Sequence, residues 1–272
     1  MMKRFIGVLL VSTACVGAAM AQPPPLADSR ESMPAAVQMK SEMSAKAILE
    51  SAYMAAGGDS FTRPQTLWLK GYNIIRAGDK ELLWDKYAMW REYASNKTDA
   101  HEANGKVRIE GWTDGKLQLL LSFDGKQTYN QNGLMEDQSA NEMWANSFGF
   151  GAIRHALDDG WSQKRVADRQ IDGEPTYMIE LTDPSEKQTL FGIRQSDFAI
   201  VYVGFDTPRG WHERRYSHFF EKPDVSWKQA GRVRLFYNGQ KANEAVWTDF
   251  EVNTVFDEEN FVITETPSRP EF

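Results

Sequence analysis

The chain has few of the residues that build metal centres or disulfides. Its 272 residues include one cysteine, Cys15, and four histidines. One cysteine cannot form an internal disulfide or a site of several thiolates. His212-Glu213 lacks the second histidine of the H-E-x-x-H motif, and His101 and His155 have no ligand-type neighbours at useful spacing. The sequence therefore predicts no metal site and no cofactor.

The sequence also lacks the short motifs that place a nucleophile or a phosphate. G-x-S-x-G and S-x-x-K do not occur, and Gly149-Phe150-Gly151 does not have the spacing of a phosphate loop. The net charge of -7 gives no bulk attraction to nucleic acid. We therefore expect neither an enzyme nor a nucleic-acid partner, although carboxylates paired by the fold for acid–base work remain open.

Long hydrophobic runs are missing except at the N-terminus. Lys3 and Arg4 precede a mostly apolar run at 5–16, too short for a membrane-spanning helix, and Ala19-Met20-Ala21 fits a cleavage site. These features predict a signal peptide at 1–21, cleavage after Ala21 and export to the periplasm. Ser12-Thr13-Ala14-Cys15 offers an alternative, a degenerate lipobox that would anchor the chain through Cys15.

Reverse-turn dipeptides are the most informative feature that is present. Asn-Gly and Asp-Gly accept the positive φ of a tight hairpin, and seven turn pairs punctuate the chain between strand-like stretches. Consecutive hairpins predict a meander with strands at about 66–76, 81–93, 106–113, 116–123, 126–131, 162–171, 175–182, 188–194, 199–206, 211–221, 230–237 and 243–253. The seven pairs are Gly78-Asp79, Asn104-Gly105, Asp114-Gly115, Asp124-Gly125, Asn132-Gly133, Asp172-Gly173 and Asn238-Gly239.

Two helical regions complete the predicted architecture. A helix is expected at 45–56 before Gly57-Gly58, and an apolar helical insert at 139–157 begins with a capping box in which Ser139 is the N-cap. A dozen strands tend to curl. The predicted fold class is mainly β (α+β): a large curved antiparallel sheet forming an incomplete barrel, closed by the N-terminal helix and the inserted helical lid. The domain would span 44–262, after a proline-rich flexible leader at 22–43 and before a C-terminal tail at 263–272, with the chain loose from 257 onwards.

The order of these elements resembles the LolA/LolB-like superfamily of periplasmic lipoprotein carriers and outer-membrane lipoprotein-sorting proteins. The similarity lies in AILESAYMAAGG, TLWLKGYNII, FDGKQTYNQNG before the insert, IDGEPTYMIEL, AIVYVGFDTPRGWHERRYSHF and RVRLFYNG, over residues 44–262. Lys86-Tyr87 stands where the carriers have an Arg-Pro pair. The resemblance implies an apolar interior that holds acyl chains. The expected partners are an acyl ligand or lipoprotein and a membrane-associated donor or acceptor protein, with the chain acting as a monomer.

The predicted function is therefore a periplasmic carrier or sensor of an acyl-bearing ligand. Two alternatives remain: a secreted β-barrel enzyme acting on a small apolar molecule, and a packed structural or interaction domain without a cavity. The run from His212 to Arg215, with Tyr216, is interpreted as a polar strip, either a solvated face or a rim that contacts a partner. The residues expected to line the cavity are Leu117, Leu119, Leu121, Phe123, Met143, Trp144, Phe148, Phe150, Tyr177, Ile179, Val233 and Leu235.

Overall fold

A computed structural model describes residues 43–78, 80–94, 99–100, 105–137, 139–142, 144 and 149–272. Its helices are α1 (Ala45–Ala56), α2 (Asp59–Thr62) and α3 (Ser139–Glu142), with 3₁₀ helices at Gly149–His155 and Glu258–Phe261. The strands are β1 (Thr66–Ala77), β2 (Lys80–Glu92), β3 (Lys106–Thr113), β4 (Lys116–Phe123), β5 (Thr128–Asn130), β6 (Gly133–Leu134), β7 (Ser162–Ile171), β8 (Glu174–Thr182), β9 (Gln188–Arg194), β10 (Ile200–Thr207), β11 (Gly210–Lys222), β12 (Val225–Tyr237) and β13 (Gln240–Val252).

All thirteen strands form one antiparallel sheet that is not closed. Its order is β6-β5-β4-β3-β2-β1-β13-β12-β11-β10-β9-β8-β7, so β6 and β7 are the two edges. In this sheet every neighbouring pair is consecutive in the chain except β1 and β13. The predicted mainly-β antiparallel sheet is confirmed, with the short β6 as an additional strand. The predicted meander, in which each strand pairs with the next, holds within β1–β6 and within β7–β13, whereas β6 does not pair with β7 and β1 pairs with β13 instead.

The predicted turn chemistry explains the tight hairpins. In the β3–β4, β7–β8 and β12–β13 turns, Asp114, Asp172 and Asn238 adopt φ of 51°, 54° and 48°, and the following glycine is also at positive φ. Two successive residues at positive φ form a type I′ turn, whose twist matches that of the flanking strands. Aspartate, asparagine and glycine tolerate this conformation, so the dipeptides fix where each strand reverses.

One face of the sheet packs against helices and is called the inner face. Helix α1 has the predicted bounds; the Ser44 side chain accepts a hydrogen bond from the Ala47 N–H at 3.2 Å, as an N-cap does. Ile48 and Leu49 of α1 are fully buried with Phe191 and Phe250 of the sheet in the main core. No helix within the described ranges combines the length and apolar character needed to cross a membrane.

The insert between β6 and β7 differs from its prediction in detail. Ser139 lies inside α3, and its backbone N–H donates to the Asp137 carboxylate at 3.0 Å. The prediction that Ser139 is the N-cap is therefore wrong, because the carboxylate of Asp137 performs that role two residues earlier. This hydrogen bonding also holds the pKa of Asp137 below its usual value. Among the described residues of the insert, the 3₁₀ helix Gly149–His155 follows α3.

The segment after β13 packs against the opposite, outer face of β3 and β4. The Ser122 hydroxyl donates to the Phe261 carbonyl at 2.7 Å, and Arg108 Nη1 donates to the Asn260 carbonyl at 2.9 Å. Further along, Thr266 Oγ1 donates to the Gln131 carbonyl at 2.5 Å. The expectation of a loose segment from residue 257 is therefore wrong, because the outer face supplies polar and apolar partners.

Candidate ligand-binding cavity

A cavity of about 230 Å³ lies between the inner face and the helices that cover it, and is called the inner cavity. Its floor is formed by strands β1, β2, β3, β10, β11, β12 and β13, and its cover by α1, α2, Trp144 and the 3₁₀ helix Gly149–His155. Most of its lining side chains are apolar, among them Leu67, Leu69, Met89, Val107, Ile109, Val233, Leu235, Ala245 and Trp247.

Aromatic rings form the cover of the inner cavity. Phe150 contacts Phe61 of α2 with ring centroids 6.5 Å apart, and Tyr216 of β11 at 4.9 Å. Phe61 in turn lies 5.7 Å from the ring of Trp227 on β12. Ring packing therefore stabilises the cover. A hydrogen bond also joins two of its parts, since the Tyr53 hydroxyl of α1 donates to the Ile153 carbonyl of the 3₁₀ helix at 2.5 Å.

The structure places four of the twelve residues predicted to line a ligand cavity at the inner cavity: Trp144, Phe150, Val233 and Leu235. Leu121 and Phe123 pack beside them, in a cluster with Trp144, Val107, Met89 and Ile109. Leu119 is half-buried opposite Gly111 and is not part of the lining. Tyr177 and Ile179 are buried in the main core, away from the lining. Met143 and Phe148 lie outside the described residues.

Leu117 lies on the outer face, so the prediction that it shares a face with Leu119, Leu121 and Phe123 is wrong. The ladder between β3 and β4 shifts register after Gly111, which pairs with Leu119, whereas Trp112 pairs with Leu117. The extra residue on β4 reverses the alternation, as a β-bulge does. Leu117 consequently packs against Leu120, Tyr129 and Ile263.

The polar groups of the inner cavity were not identified from the sequence. Arg91 of β2, Arg154 of the 3₁₀ helix and Arg214 of β11 all line it. The predicted polar strip on β11 is divided between two environments: Arg214 and Tyr216 line the cavity, whereas Arg215 forms ion pairs with Glu213 and Asp172. Period-two alternation along β11 was the signal that could have separated Arg214 from Arg215.

Burial shifts the pKa values of the polar groups of the cavity. It raises the pKa of Tyr87 and of Tyr216 to about 12 each, with the charge of Arg214 opposing part of the rise. Burial lowers the pKa of Arg91 to about 10, and the nearby charges of Arg154 and Arg214 act in the same direction. At neutral pH the two tyrosines are therefore neutral hydroxyls and Arg91 is a cation.

A wider cleft of about 1130 Å³, called the outer cleft, lies beside the inner cavity. It is lined by α1, α2, the ends of β1 and β2, the 3₁₀ helix Gly149–His155 and residues 253–256. Arg91, Tyr93 and Arg154 line both spaces. These three side chains therefore mark the boundary between an apolar interior and a polar entrance. No group of three metal-ligating side chains occurs in the described part of the chain.

Comparisons with known proteins give structural similarity at low identity. The chain is similar to a LolA superfamily protein from Nitrosomonas europaea (15% identity, TM-score 0.48, covering 81% of this chain and 98% of that one). It is also similar to a domain described as a putative outer membrane lipoprotein-sorting protein from Vibrio parahaemolyticus (11% identity, TM-score 0.46, covering 79% of this chain and 94% of that one). A third similar structure is a DUF1329 family protein from Desulfovibrio piger (14% identity, TM-score 0.46, covering 80% of this chain and 96% of that one). A LolA superfamily structure is thus among the matches, as the sequence resemblance predicted.

No protein-family model matches the chain, and no curated protein matches it.

Proposed function

We propose that the protein is a non-enzymatic periplasmic carrier or sensor that binds an acyl-bearing ligand in the inner cavity. The observation that carries the proposal is an apolar space of about 230 Å³ between the sheet and its helical cover. An apolar cavity of roughly 150 Å³ already binds benzene, and ligand pockets start near 300 Å³. The space therefore suits a narrow apolar group such as one acyl chain.

In this proposal the sheet acts as an incomplete barrel, and α1 together with the insert acts as its lid. The insert contributes Trp144, Phe150 and Arg154 to the cover, so its displacement would open the cavity. Each buried methylene contributes about 0.8 kcal/mol, and a chain of about eight contributes roughly 6 kcal/mol before ordering costs. A partner that favours the open lid would offset this gain and release the ligand.

The test is binding of a fluorescent fatty-acid analogue to the purified protein, compared with a variant whose cavity is filled. Ala245 of β13 lines the cavity and is buried, so Ala245→Trp should occupy the space and reduce affinity at least tenfold. Leu83→Trp is the matched control, because Leu83 is 51% exposed on β2 and its enlargement should leave binding unchanged.

Thermal unfolding of both variants shows whether they fold. A folded wild type that binds no acyl probe would contradict the proposal and favour a packed structural domain. Recovery of a chemically altered probe would instead favour the enzyme alternative.

A further inference from the structure

Three arginines from distant parts of the chain meet in the inner cavity. Arg91, Arg154 and Arg214 all line it, and Arg91 and Arg154 are only 9% and 8% exposed. The described residues that line the inner cavity include no aspartate or glutamate. Arg154 and Arg214 form no ion pair with another described residue, and a buried cation without a negative partner is unfavourable, so the cluster is suited to receive an anion.

The guanidinium of Arg154 is held in a fixed orientation. Its Nε–H donates to the Phe61 carbonyl at 2.8 Å, and its Cζ lies 4.7 Å from the ring of Phe61 and 4.8 Å from that of Tyr93. Within the described chain Arg154 forms no ion pair, and its Nη groups donate no hydrogen bond to another residue. Aromatic packing thus orders the cation while leaving its outer N–H groups for a ligand.

Arg91 lies beside Arg154. Its Cζ is 5.1 Å from the centroid of the same Tyr93 ring. Both arginines also line the outer cleft, so they stand where the apolar cavity opens towards the cleft. An amphiphile with its chain in the inner cavity would place its headgroup at this boundary.

We propose that the ligand is an anionic amphiphile, whose phosphate or carboxylate headgroup is bound by Arg91 and Arg154 while Arg214 supplies a third cation deeper in the cavity. Guanidinium groups bind such headgroups through paired hydrogen bonds. The remainder of the outer cleft carries the carboxylates of Glu50, Asp59, Glu92 and Asp158 and one further cation, Arg63. Its charge is therefore negative, which disfavours a free anion and restricts the headgroup to the arginines at the boundary. This inference rests on the proposed carrier function and names the charge of the ligand.

The test compares ligands that share one chain length and differ in their headgroup. Calorimetric titration of the full chain with dodecanoate, dodecyl phosphate, dodecanol and inorganic phosphate separates the chain from the charge. We expect the two anionic amphiphiles to bind about tenfold to a hundredfold more tightly than dodecanol, because hydrogen bonds to charged groups contribute more than neutral ones. Inorganic phosphate should bind far more weakly than dodecyl phosphate.

Arg91→Met and Arg154→Met keep an unbranched apolar side chain and remove the charge. Each should reduce the preference for anionic over neutral probe about tenfold and leave dodecanol affinity nearly unchanged. The control is Arg209→Met, since Arg209 is exposed and packs over Tyr237 with Cζ 4.2 Å from the ring, outside the cavity. Should a methionine variant fail to fold, Arg91→Gln and Arg154→Gln remove the same charge with the same expected loss.

Equal affinity of wild type for dodecanoate and dodecanol would overturn the headgroup inference and leave the carrier proposal standing. Equal affinity for inorganic phosphate and dodecyl phosphate would also overturn it, since the site would then bind a free anion. Equal loss of both probe classes in the arginine variants would identify the arginines as structural contacts. Failure of every amphiphile to bind would contradict the carrier proposal itself.

Discussion

Replacing Gly71 by alanine should destabilise the sheet at the strand where its two halves join. Gly71 lies in β1, which pairs with both β2 and β13, and both ladders shift register beside it. A Cβ atom built on Gly71 would lie 1.8 Å from the Val246 carbonyl oxygen and 2.9 Å from Trp247 Cα. These are backbone atoms of β13, so rotation of a side chain cannot relieve the contact.

The size of the effect follows from that overlap. Real Cβ atoms do not approach other atoms closer than 3.0 Å, so the β13 backbone would have to retreat by more than an ångström. Overpacking costs about 1–3 kcal/mol, and each ladder hydrogen bond that stretches or breaks adds about 1 kcal/mol. We expect Gly71→Ala to lower the free energy of unfolding by about 3–5 kcal/mol. It should also weaken acyl binding, because Trp247 lines the inner cavity.

Urea unfolding followed by circular dichroism measures this change. The control is Gly78→Ala in the β1–β2 turn, where φ is 64° and nothing lies within 4 Å of the added Cβ. That variant carries only the strain of a left-handed alanine, about 1–2 kcal/mol. If Gly71→Ala is no less stable than Gly78→Ala, the close approach of β1 and β13 does not exist in solution.

Three further outcomes are expected. Asp183→Ala should lower the free energy of unfolding by about 2–4 kcal/mol in a urea titration, because the buried carboxylate accepts backbone N–H groups of Ala100, Ser185 and Lys187; unchanged stability would refute that role. Burial raises the pKa of Tyr87 and Tyr216 to about 12, so their contribution to the free energy of unfolding is complete below about pH 10 and falls as pH rises towards 12, because the unfolded phenols ionise first. The double substitution Tyr87→Phe and Tyr216→Phe should flatten this fall in stability between pH 10 and 12. An identical slope in the variant would contradict burial of the two hydroxyls. Ile263→Asp should lower the free energy of unfolding by about 3 kcal/mol, measured by thermal unfolding, because it places a charge against buried Leu120. Glu265→Gln, at an exposed neighbouring position, is the control and should leave the melting temperature unchanged.

The hairpin pairings could be predicted from the sequence because their determinants are local, whereas the pairing of β1 with β13 has no local signal and was not predicted. Asp114-Gly115, Asp172-Gly173 and Asn238-Gly239 each specify a reversal within four residues, and alternation fixes the strands between them. Leu117 was misplaced because a bulge depends on both strands of a pair, and β4 alone gives no sign of it.

The arginine cluster could not be predicted from any one segment. Arg91, Arg154 and Arg214 are each unremarkable in their own stretch of sequence, and only the sheet order brings β2 and β11 under the same cover. The C-terminal segment was misjudged for a related reason. Its partners, among them Ser122 and Gln131, lie more than a hundred positions earlier in the chain.

The pairing of β1 with β13 has a consequence for how the chain folds. The meanders β1–β6 and β7–β13 contain only neighbouring hairpins, which form in microseconds, whereas the β1–β13 ladder joins residues such as Leu69 and Phe250. The entropy of closing such a loop must be lost before that ladder contributes contacts. We therefore expect docking of the two meanders to limit the folding rate. Since the floor of the inner cavity takes strands from both meanders, a binding-competent cavity exists only once this last ladder has formed.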